Sequence, residues 1–158
     1  MDVAARPATL DDLDELLSMY RLLETEMTAL KPLWDLAEGL AEPARASLED
    51  LVDAEETTVA IGTIDGVPLG FLVGRVEPLL PQADRALRAA VTYVFTVAEA
   101  RQVGVAEAMM DHFFEWADDL GIDHFDAHVS PGHRLAKNFF EANGFTARHI
   151  VMYSSADR

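Results

Sequence analysis

The chain has no cysteine among its 158 residues. Without a thiol it can form no disulfide framework, no thiolate metal site and no cysteine nucleophile. Long apolar runs are also missing: the longest stretch without a charge, residues 89–98, is about half the length that crosses a bilayer. Residues 1–6 are too few and too polar for the core of a signal peptide. We therefore expect a cytoplasmic protein without a membrane partner, folded as a single domain over residues 1–158.

Basic residues are scarce. The sequence has 12 Lys and Arg against 28 Asp and Glu, a net charge of −16, and residues 1–60 alone hold 15 acids and 4 bases. A nucleic acid is therefore not expected as a partner, because phosphate binding needs a basic surface. Two interpretations of the acidity remain open. Either the acidic helix faces only keep the protein soluble, or the acidic N-terminal part attracts a cationic substrate.

Hydrophobic periodicity predicts a mixed α/β layer domain with the element order β-α-α-β-β-β-α-β-α-β. A capped helix is expected to begin after Thr9, with Asp12 as the partner in a capping box. The further helices are predicted at residues 44–54, 105–120 and 133–142. The strands are predicted at residues 2–6, 57–63, 69–76, 89–97, 122–129 and 147–153. Residues 24–43 and 77–88 are expected to be irregular.

The most informative stretch is residues 94–106, which predict a strand, a short turn and the start of a helix. Gly104 lets the backbone approach a ligand closely, and the small Ala106 keeps the first helical turn uncluttered. The first N–H groups of a helix lack intrahelical partners, and the helix dipole adds partial positive charge there. This pattern suits a diphosphate, although an ordinary strand-to-helix turn has the same features.

Three segments form a recognisable series: residues 6–13, Arg101-x-x-Gly104-x-Ala106, and residues 129–145. Together they resemble the GNAT superfamily of acetyl-CoA-dependent N-acetyltransferases. The first is similar to the usual start of the family, the second to its motif A, [RQ]-x-x-G-x-[GA], and the third to its next motif. The resemblance implies a mostly antiparallel mixed sheet flanked by helices. It also implies transfer of an acyl group, with acetyl favoured, from CoA to an amine by direct attack in a ternary complex.

The resemblance further implies which residues bind the co-substrate. One strand would pair its backbone with the pantetheine amides, the turn and helix start would hold the pyrophosphate, and two positions further on would contact CoA. The strand residues are Phe95, Thr96 and Val97. The residues of the turn and helix start are Arg101, Gln102, Val103, Gly104, Val105, Ala106 and Glu107. The two further positions are His133 and Phe140. Arg134 and Lys137 lie near the expected phosphate end, where they either bind phosphate or are plain solvated charges.

No catalytic residue can be assigned. Phe140 occupies the position where the family often has a Tyr that protonates the departing thiolate, and a phenyl ring has no proton to give. Residues 89–98 contain no acid that could serve as a general base. A substrate ammonium with a pKa of about 10 must lose a proton before attack. Water, Tyr93, Tyr153 and the acids of residues 24–43 remain as candidate bases.

Two other classes of function stay open. The first is a non-catalytic acyl-CoA-binding or sensor protein with the same fold. The second is a nucleotide-binding α/β protein, against which the missing Gly-x-Gly-x-x-Gly and Walker lysine argue. A metal site is not predicted, because His124 and His128, four residues apart on a strand, would emerge about 13 Å apart. The apolar C-terminal strand makes a homodimer plausible.

Overall fold

The computed structural model describes residues 1–30 and 33–157. These residues form a five-stranded sheet in the spatial order β1-β2-β3-β4-β5, in which every neighbouring pair is antiparallel except the parallel pair β4 and β5. The strands are β1 (Val3–Pro7), β2 (Thr57–Ile64), β3 (Val67–Pro78), β4 (Leu87–Thr96) and β5 (His124–Ala127). The helices are α1 (Leu13–Leu30), α2 (Ala44–Asp53), α3 (Val105–Asp119) and α4 (Arg134–Ala142).

The sheet is covered on both faces, which gives the chain two core layers. Successive residues of a strand point to opposite faces, so Ile61 of β2 packs with the α1 and α2 layer while its neighbour Ala60 packs with α3 and α4. Phe71 and Leu72 of β3 divide in the same way. Because both faces are buried, the central strands are continuous apolar runs rather than alternating ones.

The start of α1 is fixed by Asp12, in a short 3-10 turn (Leu10–Asp12) directly before the helix. Its carboxylate accepts the Thr9 N–H at 2.8 Å and two N–H groups of the Arg6 guanidinium at 2.8 and 2.9 Å. These bonds, led by the one from Arg6, lower the pKa of Asp12. The predicted helix start with its Thr9–Asp12 pair is therefore confirmed, with Arg6 of β1 as an additional partner.

The predicted irregular segment at residues 24–43 is wrong for its first part, since α1 continues to Leu30. Leu23 and Met27, four residues apart, are both buried and extend the apolar stripe of the helix. A short π-helical turn (Trp34–Glu38) follows, and Lys31 and Pro32 lie outside the described residues. The second predicted irregular segment, residues 77–88, is shorter than predicted. β3 continues to Pro78, and β4 already begins at Leu87.

The final predicted strand, residues 147–153, is also wrong: the described part of this segment has no regular secondary structure. Ile150, Val151, Met152 and Tyr153 are 71%, 79%, 86% and 64% exposed. Their β-branched and aromatic composition favours a strand only where a sheet provides a surface to pack against. β5 is also shorter than predicted.

Among residues 1–30 and 33–157, no helix combines the length and the apolar character needed to span a bilayer.

Candidate active site

The two parallel strands β4 and β5 pair over only part of their length. β4 pairs with β5 from Arg88 to Val91, and the His128 N–H donates to the Val91 carbonyl at 2.9 Å. On its other side, β4 stays paired with β3 through Thr96, with an irregularity at Thr92. In the described residues, the C-terminal part of β4 therefore has a strand neighbour on one side only, and a wedge opens on the other.

Backbone directions on β4 show which groups face this wedge. The Val97 N–H donates to the Leu69 carbonyl at 2.9 Å, toward β3. Peptide groups alternate in direction along a strand, so those of Phe95 also point to β3, and the N–H and C=O of Val94 and Thr96 point to the open side. The Thr96 carbonyl does so, accepting the Arg101 Nε–H at 2.9 Å.

The N-terminus of α3 lies beside the same opening. Gly104 precedes the helix with φ 101°, a left-handed conformation that costs little without a Cβ, and Gln102 has φ 66°. The Ala108 N–H donates to the Gly104 carbonyl at 3.0 Å and begins the helical ladder. The N–H groups of Val105, Ala106 and Glu107 precede that bond, so no carbonyl of the helix accepts them. With the helix dipole, they make this end suited to an anion.

A cavity of about 150 Å³ joins the β4 opening to the α3 terminus. Of the predicted co-substrate residues, its walls include Phe95, Thr96, Arg101, Gln102, Ala106, Glu107 and His133. They also include Glu26, one of the acids of residues 24–43 kept as candidate bases. The remaining lining residues were not selected by sequence reasoning: Val94, Ala100, Leu135, Ala136 and Phe139. Val97, Val103, Gly104, Val105 and Phe140 are not among the lining residues, although Gly104 shapes the turn and Val105 is buried beneath it.

Phe140, the predicted stand-in for a catalytic Tyr, belongs to the core. It is 2% exposed, with its ring centroid 5.2 Å from that of Phe139 and 5.3 Å from that of Phe145. Phe139 lies on the cavity wall together with Leu135 and Ala136, which are four and three residues earlier on α4. This spacing places the three on one helix face. A hydroxyl group would therefore enter the cavity more directly from position 139 than from position 140.

One acidic side chain from α1 connects two walls of the cavity. Glu26 Oε2 is 2.7 Å from Arg101 Nη2, and Glu26 Oε1 is 3.5 Å from His133 Nε2. Burial lowers the pKa of His133, an effect that nearby Glu26 opposes and Arg101 reinforces. The imidazole of His133 is therefore predominantly neutral at neutral pH. Lys137 lies outside this cluster and pairs with Glu141 at 3.4 Å on the exposed side of α4.

Some of the candidate bases are poorly suited to proton abstraction. Tyr93 donates its hydroxyl proton to the Glu38 carbonyl at 2.8 Å, and burial raises the pKa of Tyr93 to about 12. Glu24 and Glu42 both pair with Arg21, at 2.9 and 2.8 Å. The bond from Arg21 lowers the pKa of Glu42 to about 2, which weakens that carboxylate as a base. Tyr153 is 64% exposed in the C-terminal segment.

Asp126 of β5, between His124 and His128, has ionic partners. Its carboxylate accepts Arg148 Nε at 2.8 Å, also contacts Arg148 Nη2, and lies 3.4 Å from Arg88 Nε. These contacts, led by the bond from Arg148, lower the pKa of Asp126. Within residues 1–30 and 33–157, no three His, Cys, Asp or Glu side chains come together as metal ligands.

A second cavity, of about 320 Å³, lies beside the C-terminal half of α3. Its walls include His112, Glu115, Trp116 and Thr58, and His112 Nε2 is 3.2 Å from Thr58 Oγ1. It is larger than the first cavity, but neither the open part of β4 nor a helix N-terminus borders it. We therefore take the smaller cavity as the candidate active site.

The family model of the acetyltransferase (GNAT) family matches residues 16–145. That range is most of the chain and contains both walls of the cavity. The chain belongs to the acetyltransferase (GNAT) family. The resemblance inferred from the motifs is thus confirmed, and with it the assignment of the chain as an acetyltransferase. The comparison with curated protein sequences finds no match.

Solved structures of similar proteins confirm the fold class of this GNAT acetyltransferase. One is AAC(6')-Iy in complex with the bisubstrate analog CoA-S-monomethyl-acetylneamine: TM-score 0.76, 18% identity, 98% of this chain and 99% of that one covered. Another is the aminoglycoside antibiotic 6'-N-acetyltransferase AAC(6')-Ih from Acinetobacter baumannii: TM-score 0.74, 15% identity, coverage 98% and 97%. A third is the ribosomal-protein-alanine N-acetyltransferase from Brucella melitensis biovar Abortus 2308: TM-score 0.71, 14% identity, coverage 97% and 100%.

Proposed function

We propose that this GNAT acetyltransferase transfers an acetyl group from acetyl-CoA to an amine by direct attack in a ternary complex. The observation that carries the proposal is the meeting of two features in one cavity. The C-terminal part of β4, which has no strand neighbour on the side of β5 among the described residues, suits the amides of pantetheine. The N-terminus of α3 suits a diphosphate. A complex of AAC(6')-Iy with a CoA-based bisubstrate analog supports the choice of CoA.

In this arrangement, Val94 and Thr96 would pair with pantetheine and the backbone of Gln102 to Glu107 would hold the diphosphate. A backbone N–H on the open edge of β4 would polarise the thioester carbonyl as negative charge develops on its oxygen. The amine nitrogen forms the new N–C bond, and the C–S bond breaks to release the thiolate. The ammonium proton passes to water before attack, and the thiolate takes a proton from water, since neither residue 139 nor residue 140 can donate one.

We propose a cationic amine as the acceptor. Support comes from the excess of acids over bases in residues 1–60. Exposed charges act over about 8 Å at physiological salt, so the attraction should appear mainly at low ionic strength.

The test is CoA release from acetyl-CoA with polyamines, aminoglycosides, amino acids and basic peptides, each at low and high salt. We expect turnover with a cationic amine and a kcat/KM that falls as salt is added. A preference for neutral or acidic acceptors, or a kcat/KM that does not change with salt, would contradict the proposed cationic acceptor. The acidic residues would then only keep the protein soluble. CoA binding without turnover of any amine would favour the sensor alternative.

We also propose that a second copy of the chain covers the exposed C-terminal residues Ile150 to Tyr153. An unpaired strand edge invites pairing with another chain, and β5 pairs with β4 on one side only among the described residues. Light scattering should then give the mass of a dimer for the intact chain and of a monomer for Val151→Lys. A monomeric intact chain would contradict this.

Two further points remain predictions: that a single domain extends over residues 1–158, and that the protein is located in the cytoplasm.

A further inference from the structure

Glu26 is an unexpected residue in a cavity proposed to take CoA, because its carboxylate has the same charge as the ligand. It stands near the end of α1 and reaches two walls at once: Arg101 in the turn before α3, at 2.7 Å, and His133 before α4, at 3.5 Å. The side chains of Glu26 and Arg101 are 30% and 28% exposed. An ion pair that is mostly shielded from solvent holds its geometry better than one on the open surface.

The Arg101 guanidinium is engaged on several sides. Its Nε–H donates to the Thr96 carbonyl at 2.9 Å, its Nη2 donates to Glu26 at 2.7 Å, and its Cζ lies 5.6 Å from the centre of the Phe95 ring. Thr96 is the last residue of β4, and its carbonyl faces the opening between β4 and β5. Arg101 therefore connects the end of β4 with α1.

We propose that Glu26 is a positioning residue for co-substrate binding: it holds Arg101, and through Arg101 the end of β4, in the geometry that receives pantetheine. The inference rests on the proposed function. In this proposal Arg101 maintains the shape of the cavity, and the backbone N–H groups at the start of α3 bind the diphosphate. A planar guanidinium suits this role, because it can donate hydrogen bonds to the Thr96 carbonyl and to the Glu26 carboxylate at fixed angles.

The alternative is that Arg101 binds a phosphate directly and Glu26 is only its resting partner. The two accounts predict opposite signs for Glu26→Gln. If Arg101 binds phosphate, removing the acid frees the guanidinium and removes a like charge, so CoA should bind more tightly. If Glu26 positions Arg101, the same change loosens the wall and CoA should bind more weakly.

The experiment is calorimetric titration of CoA into wild type, Glu26→Gln, Arg101→Lys, Arg101→Met and the double variant Glu26→Gln/Arg101→Met. We expect each single change to weaken binding about tenfold, and the double variant to be no weaker than the worse single variant. Arg101→Lys should resemble Arg101→Met, because a lysine keeps the charge but donates from a single nitrogen, whereas Arg101 reaches its two acceptors from Nε and Nη2. Glu24→Gln is the matched control: it changes the same group on the same helix, but its partner is Arg21.

A second ligand separates an effect on the shape of the cavity from an effect on phosphate binding. S-acetylpantetheine has no diphosphate. The variants should therefore lose affinity for it only if Glu26 and Arg101 shape the part of the cavity that receives pantetheine. In turnover, KM for acetyl-CoA should rise about tenfold while kcat stays within about twofold. Thermal unfolding should show that each variant is folded.

Four results would overturn the inference: tighter CoA binding by Glu26→Gln, unchanged binding by folded Glu26→Gln, near-normal binding by Arg101→Lys, or additive losses in the double variant. Failure of the proposed function looks different, because wild type itself would then not bind CoA. The positioning role would fail with it.

Discussion

Gly104→Glu is expected to abolish CoA binding and leave the fold intact. Gly104 stands directly before α3 with φ 101°, and the nearest atom to an added Cβ would be Val3 Cγ1 at 3.8 Å. Space is therefore available, and the cost is mainly the left-handed conformation, roughly 1–3 kcal/mol. A carboxylate there would occupy the anion site and repel a diphosphate. The loss of affinity should exceed about a hundredfold.

Calorimetric titration with CoA measures this effect, and two variants separate its causes. Gly104→Ala carries the backbone cost without the charge and should lose much less affinity. Gly121→Glu places the same side chain just beyond the other end of α3, where φ is 73° and no atom lies within 4 Å of an added Cβ. It should bind CoA as wild type does. A folded Gly104→Glu protein with wild-type affinity would remove the diphosphate from this turn.

Phe139→Tyr is expected to accelerate the chemical step. Phe139 lines the cavity, so a phenol at this position can offer the departing thiolate a proton that neither phenylalanine provides. If thiolate departure limits the rate, single-turnover measurements should show a gain of about tenfold to a hundredfold, the lower range for general-acid catalysis. The gain should disappear at a pH above the pKa of the new phenol.

Phe140→Tyr is the matched control for that experiment. Phe140 is 2% exposed in the core, so a hydroxyl placed there without a partner should cost roughly 1–3 kcal/mol of unfolding free energy. We expect a lower melting temperature and no faster turnover. If Phe140→Tyr is the variant that accelerates the reaction, its ring reaches the thiolate and the roles given to positions 139 and 140 are reversed. Equal rates in both variants and wild type would mean that another step limits turnover.

The sequence contains enough to predict the turn before α3, because its constraints are local. The turn needs a residue in a left-handed conformation, which Gly104 provides, and a buried strand precedes it. The same holds for the start of α1, where Thr9 and Asp12 are three residues apart. In each case the deciding contacts lie within one turn of chain, and a residue pattern can specify them.

Contacts between distant elements are harder to predict. Glu26 reaches the cavity only because α1 continues to Leu30 and passes beside a turn that is 75 residues away in sequence. Which of two adjacent phenylalanines lines the cavity depends on the rotation of α4 over the sheet, which the motif does not specify. The final segment has the composition of a strand, yet a strand also needs an edge to pair with, and that requirement concerns the tertiary structure.

Amide chemical shifts of the isotope-labelled protein during a CoA titration test the central claim most directly. We predict that the largest changes fall on the amides of Val94 and Thr96 and of residues 102–107, around the smaller cavity, and that the amides around His112 and Thr58 stay in place. Changes centred on the second cavity, or no changes at saturating CoA, would contradict the account.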